Sequence, residues 1–261
     1  MGFRFLPLLI AFGGATLGQT QTSELEKALT LFNSGRFRES LDVVSAYTRS
    51  HPNSSAGHKI LGMDEFMLGN ASRAIADLKY ATELNPSDGD AYYYLGRLYF
   101  SADNARDALA AFKRALEIDP SSVRAHNHLG QTYEALGRIT EAEGAYKQAI
   151  ELERKQSKKS EWPYYNLGLV YLNDGRPDEA TSLFRQALDR NSALTEAKVN
   201  LAKALAQTKQ TDAALMLLND AVRTDPKNAQ AHYQLALLLL KSGKPEEAER
   251  HFALFERYRT R

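Results

Sequence analysis

An all-α solenoid of about seven helix–turn–helix units is the fold class the sequence predicts, and three observations predict it. Four residue columns recur with one shared period of 34. Within each period the apolar residues fall three and four apart, as one stripe of an α-helix requires. Glycine and proline stand at two fixed places per period, where one helix turns into the next and where the second stops.

The columns are explicit. Pro52, Pro86 and Pro120 are 34 apart, as are Gly62, Gly96 and Gly130, Leu61, Leu95 and Leu129, and Ala74, Ala108 and Ala142. After one slip the phase resumes in Leu167, Leu201 and Leu235 and in Ala180, Ala214 and Ala248.

Each element has a physical reason. The blocks from Ala91 to Tyr99 and from Ala125 to Tyr133 read as the first helix of a unit. The small residue after each Leu lets a second helix approach closely. Gly35, Gly69, Gly137, Gly175 and Gly243 mark the turn, where glycine adopts the needed backbone at little cost. Pro177 and Pro245 suit the first turn of the second helix, whose N–H groups have no partner there anyway. Small, large and small residues, such as Ala108, Phe112 and Ala115, line one face of that helix. Asn85-Pro86 and Asp119-Pro120 end it. Ser54, Asp88, Ser122, Ser160 and Asn228 are then expected to cap the next helix. No single helix pair can bury both of its apolar faces, so neighbours must stack.

The pattern Leu-Gly-x-x-Tyr, then Ala, aromatic, Ala and Pro, at period 34, resembles the tetratricopeptide repeat, and the resemblance covers roughly residues 21–261. It implies a right-handed α-solenoid with the units 21–54, 55–88, 89–122, 123–156, 161–194, 195–228 and 229–261. The first is degenerate, with Lys27 and Ser40 where Leu and Ala are expected.

Two places break the pattern. Leu129 and Leu167 are 38 apart, so four residues, 157–160, are inserted. They lengthen the preceding helix by a turn, or form a flexible joint, or present Arg154, Lys155, Lys158 and Lys159 as a basic contact. At the C-terminus Phe252, Phe255 and Tyr258 are expected to form an apolar edge that solvates itself or docks a partner or a second copy.

Residues 1–18 differ from the array. Arg4 is the only charge before Glu24, and a short apolar run follows it. These are the parts of a secretory signal, with cleavage expected after Gly18 or Ala15. An uncleaved anchor and a structural first segment are the alternatives. The run is shorter than a membrane span and contains Pro7. The expectation is an exported protein, periplasmic or extracellular, with no membrane span in the mature chain.

Composition narrows function. With 33 basic and 32 acidic residues the net charge is +1, which argues against a nucleic-acid partner. Without cysteine, disulfide scaffolds, thiolate metal sites and cysteine nucleophiles are excluded. His126 and His128 are two apart and point to different helix faces, so they make a poor metal pair. No nucleotide-loop, metalloprotease or serine-hydrolase motif occurs. The acids read as scattered surface residues. No catalytic site, cofactor or metal is expected.

The resemblance also implies that the first helices line a concave groove that binds a protein or peptide. Positions five and six of each unit then face it: Lys59, Tyr93, Asn127, Tyr165 and Tyr233, and His128, Asn166, Asn200 and Gln234. The polar series resembles the asparagine ladder of some members, which holds the backbone of an extended chain through amide donors and acceptors. Tyr92 and Tyr164 are expected to fill core positions. Lys59 and Arg124 match two places of the carboxylate clamp of another subgroup, but Met63, Tyr94 and His128 occupy the others. That activity is not implied.

Overall fold

The computed structural model describes residues 15–157 and 159–259, with side chains from Glu24 onward. The expected signal, residues 1–18, lies outside the described residues except for the backbone of its last four. Among the described residues the chain is entirely helical, with fourteen helices in seven pairs.

The chain divides into two compact units, Met1–Pro120 and Ser121–Arg261. The first holds α1 (Ala15–Asn33), α2 (Phe37–Ser50), α3 (Ser55–Met67), α4 (Ala71–Leu84), α5 (Gly89–Ser101) and α6 (Ala105–Ile118). The second holds α7 (Val123–Ala135), α8 (Ile139–Lys155), α9 (Trp162–Asn173), α10 (Pro177–Arg190), α11 (Thr195–Gln207), α12 (Thr211–Thr224), α13 (Ala229–Lys241) and α14 (Pro245–Tyr258). Within each unit successive helices pack on one another. The first helices of neighbouring pairs also touch: α1 and α3, α3 and α5, α7 and α9, α9 and α11, α11 and α13. The second helices of neighbouring pairs do not. Within a unit the first helices therefore lie on the inner side of the stack.

The small column does what its position requires. A Cβ placed on Gly96, Gly130 or Gly168 would lie 2.6, 2.5 or 2.7 Å from the ring of Phe112, Tyr146 or Phe184, all three rings fully buried. The absence of a side chain is what lets each ring seat against the opposing helix. Five turns carry glycine with φ between +71° and +83°. Asp103 and Lys209 hold the same turn position with φ of 55° and 64°, a conformation that costs a residue with a Cβ.

Four expected caps are present. The side chains of Ser54, Asp88, Ser122 and Asn228 accept from the backbone N–H three residues on. Ser160 does not cap a helix: α9 starts at Trp162, and the Ser160 N–H donates instead to Glu153 Oε1 at 3.4 Å.

The insertion lengthens a helix. α8 has 17 residues where α4, α6, α10, α12 and α14 have 14. Its added turn brings Glu153 into the core with no exposed surface. Arg190 grips both carboxylate oxygens at 2.9 and 3.0 Å, and the Tyr164 hydroxyl donates to Oε2 at 2.7 Å. The guanidinium also lies over the Tyr164 ring, 3.7 Å from its centroid. Burial opposes the Glu153 charge, yet these partners hold its carboxyl below the usual range and hold Arg190 above its own. The end of α8 is thus tied to α9 and α10. Lys159 Nζ donates to the Glu153 and Arg154 carbonyl oxygens, and Lys155 pairs with Glu151 at 2.9 Å. Lys158 lies outside the described residues.

The acids are not all on the surface. Asp64 and Glu153 are fully buried and Glu65 is nearly so. Apolar periodicity says nothing about the depth of a charged residue whose partner lies on another helix.

Candidate functional site

In the second unit, α7, α9 and α11 present amides on successive helices. Asn166 Nδ2 donates to Asn127 Oδ1 at 3.0 Å, and both side chains are mostly buried. Asn200 Nδ2 donates to the Tyr165 hydroxyl at 3.2 Å and to the Glu196 carbonyl oxygen at 3.0 Å. Each asparagine is oriented by a neighbour. Among the described residues, Asn166 Oδ1, Asn200 Oδ1 and the Asn127 amide group make no hydrogen bond to the protein. They are acceptors and a donor in fixed positions. Beside them Trp162 is 45% exposed, edge-on to Tyr165 with ring centroids 6.0 Å apart. Burial raises the Tyr165 hydroxyl above its usual range, so it stays a neutral donor and acceptor at physiological pH. His128, half-buried on α7, directs Nδ1 to the Arg124 carbonyl oxygen at 2.9 Å.

The tyrosines at position five play a second part. Tyr93, Tyr165 and Tyr233 lie 6.0, 6.0 and 6.2 Å from Phe112, Phe184 and Phe252, always nineteen residues on. Tyr93 is 6% exposed and belongs mainly to the core, while Tyr165 and Tyr233 keep an outer edge. Tyr164 is fully buried, as expected of a core position, whereas Tyr92 is half-buried under Arg114. Lys59, in the first unit, pairs with Asp88 at 2.8 Å, the residue that caps α5. Gln234 is half-buried on α13 and lines a small hollow with Ala202, Leu218 and Leu238. The second unit brings Asn127, Tyr165, Asn166 and Asn200 together; Lys59 and Tyr93 belong to the first unit.

The C-terminal pair forms a different surface. Ala248 is the one buried residue of α14. Phe252, Phe255 and Tyr258 are half-buried, Phe255 4.9 Å from the Tyr233 ring and Tyr258 5.8 Å from His232. Leu237 and Leu240 on α13 are 40% and 53% exposed. His232 and His251 meet Nδ1 to Nδ1 at 3.0 Å, an interhelical pair nineteen residues apart that periodicity alone does not single out.

Among the described residues no group of three or more His, Asp or Glu side chains could hold a metal ion. No described helix is long and apolar enough to cross a membrane.

Family models described as tetratricopeptide repeat match residues 61–123 and 165–229, 121–193, and 207–254. Over 87 residues, 33% of this chain, the sequence is 34% identical to the TPR repeat-containing thioredoxin TTL4 of Arabidopsis thaliana; the match spans 13% of that protein. The fold is similar to a chain of the APC/C hetero-tetramer Cut9-Hcn1, with a TM-score of 0.74 at 20% identity over 87% of this chain and 44% of that one. It is also similar to YrrB, described as a TPR protein with an unusual peptide-binding site, with a TM-score of 0.56 at 25% identity over 68% of this chain and 90% of that one.

Proposed function

The chain belongs to the tetratricopeptide repeat family, and from that premise we propose that it is a non-enzymatic scaffold that holds a protein partner as an extended peptide on the first helices of its repeats. One observation carries this reading. Asn127, Asn166 and Asn200 stand on successive inner helices, each fixed by a neighbour, with amide atoms left over. Such groups suit a peptide backbone, which offers one N–H and one C=O per residue. The exposed ring of Trp162 beside Tyr165 supplies the amphipathic contact that interfaces favour. The similarity to YrrB, itself described as peptide-binding, supports the same use of the fold.

A second reading rests on the exposed leucines and half-buried rings of α13 and α14: assembly of a larger complex, or of two copies, through that edge. We place either activity in the periplasm or outside the cell, on the signal-like residues 1–18. Detection of full-length, unprocessed chain in the cytoplasmic fraction of its source would reject that placement.

The two binding readings separate by mutation. Binding of peptides selected from a random library is expected to fall at least about tenfold when Asn166→Ala and Asn200→Ala are combined, the loss of two interfacial hydrogen bonds. Helicity by circular dichroism should not change. Truncation after Leu240 is expected to leave that binding intact. If the truncation abolishes partner binding and the double substitution does not, the edge is the working surface.

A further inference from the structure

The chain follows a rule for its ring-stacked arginines, and Arg97 breaks it. Arg114, Arg138, Arg176, Arg190 and Arg259 each lie over an aromatic ring, with the guanidinium 3.7 to 5.8 Å from its centroid. Each also holds a carboxylate: Glu117, Glu141, Glu179, Glu153 and Glu256 at 2.5 to 2.9 Å. The ring covers a weakly hydrated face and the carboxylate takes the N–H edge. Arg257, exposed in the last turn of α14, and Arg97 also stack, and neither holds an acid among the described residues.

Arg97 is the half-buried one. It projects from α5 in the first unit, 4.9 Å from the ring of Phe66, 5.6 Å from Tyr94 and 5.9 Å from Tyr93. These rings lie on α3 and α5, two of the inner helices, and Phe32 of α1 meets Tyr94 edge-on at 6.5 Å. The guanidinium is thus held among three rings from two helices, which limits the rotamer freedom it would otherwise lose on binding a ligand. Its five donors have no acceptor among the described residues.

We propose that Arg97 is a carboxylate-binding anchor, and that a peptide bound at α3 and α5 carries an Asp or Glu side chain there, next to an apolar residue that rests on Phe66. This rests on the peptide-binding reading above. A side-chain carboxylate is assigned, and amidation of the peptide's C-terminus distinguishes it from a chain terminus. Lys59, the neighbouring cation at position five of the preceding repeat, is already neutralised by Asp88, so the anchor is a single guanidinium gripping one carboxylate through two parallel N–H donors.

The test selects binders from a random dodecapeptide library displayed on phage, using the full chain, its Arg97→Met and Arg97→Lys variants and the Asn166→Ala/Asn200→Ala double variant. Helical content of each variant is checked first. Wild-type selections are expected to be enriched in an Asp or Glu next to an apolar residue. For a synthetic peptide from that set, Glu→Gln in the peptide or Arg97→Met in the protein should each weaken binding by roughly ten- to a hundredfold, and the two together by little more. Arg97→Lys should recover only part of the loss. Selections with no acid enrichment, or the same enrichment on Arg97→Met, overturn the anchor. So does loss of binding on amidating the peptide's C-terminus, which would move the carboxylate to the chain end. If wild type selects acid-free peptides that the asparagine variant loses, the peptide-binding reading stands and this one falls. If nothing is selected, both fall.

Discussion

Asp64 shows how one residue can set a pH dependence that no pattern of charges announces. It sits at the tenth position of its repeat, where the others carry Thr30, Leu98, Thr132, Val170, Ala204 and Leu238. Neither carboxylate oxygen has a hydrogen-bond partner, and the side chain is fully buried. Burial pushes its pKa up to about 7; the adjacent Glu65 charge adds to the shift, while Ser40 opposes it. The Ser40 hydrogen itself is directed to the Ala28 carbonyl oxygen at 2.9 Å. A raised carboxyl keeps its proton in the folded state over a range where the unfolded chain has lost it. Between about pH 4 and 7 the folded state therefore binds more protons, and stability falls as pH rises through that window and then levels. Asp64→Asn removes the titration. Urea denaturation at pH 5 and pH 8 should show the wild type losing on the order of 2–3 kcal/mol that the variant keeps. Equal slopes for the two proteins would mean that Asp64 is ionised in the fold. The same residue marks a limit of sequence reading: an acid in a repeat helix reads as a surface residue until the helix packed on it is known.

At the scale of the helix pair, packing and intrinsic propensity pull in opposite directions, and the structure says which wins. Alanine is favoured over glycine in a helix by about 1 kcal/mol. A Cβ at Gly96 would nonetheless lie 2.6 Å from Phe112, whose ring is fully buried and has nowhere to move. Overpacking of this kind costs about 1–3 kcal/mol, so Gly96→Ala should lower the thermal midpoint. Ala236 is tolerated at the same position of the last repeat because Phe252 opposite is only half-buried. The turns reverse the argument. Asp103→Gly and Lys209→Gly relieve a positive φ and should each raise stability by a few tenths to about 1 kcal/mol, read by chemical denaturation, since relief of the strained backbone exceeds the entropy glycine adds to the unfolded chain. The glycine column, the turns and four of the five caps were legible because each depends on residues within one period. Ser160 was not, because α9 starts two residues later, at Trp162, and Glu161 stands at its N-cap. The Glu153–Arg190 grip was invisible because it spans 37 residues, more than one period. Among the site residues, spacing placed Asn166 and Asn200 on neighbouring helices. It could not show that Asn127 and Asn166 bond to each other, nor that Arg97 alone among the half-buried stacked arginines lacks an acid.

Within each unit, contact is local in sequence: the packed helices are nearest or next-nearest neighbours along the chain. A stack of this kind has no central core to collapse, so its stability is close to a sum of repeat and interface contributions. Damage should then stay where it is made. Gly130→Ala places a Cβ 2.5 Å from the Tyr146 ring and strains the α7–α8 pair. Amide hydrogen exchange followed by mass spectrometry is expected to show faster exchange in α7 and α8, and less so in α9, which contacts both. Peptides from α13 and α14 should exchange as in the wild type, because no described contact links them to α7 or α8. A uniform loss of protection from α7 to α14 would mean that the second unit unfolds as one cooperative body. In that case a peptide bound at α7 to α11 would also tighten the C-terminal edge, and the two candidate surfaces would be coupled. Local loss predicts the opposite: occupying the asparagines leaves Phe252, Phe255 and Tyr258 unchanged, and the two surfaces can serve different partners at once.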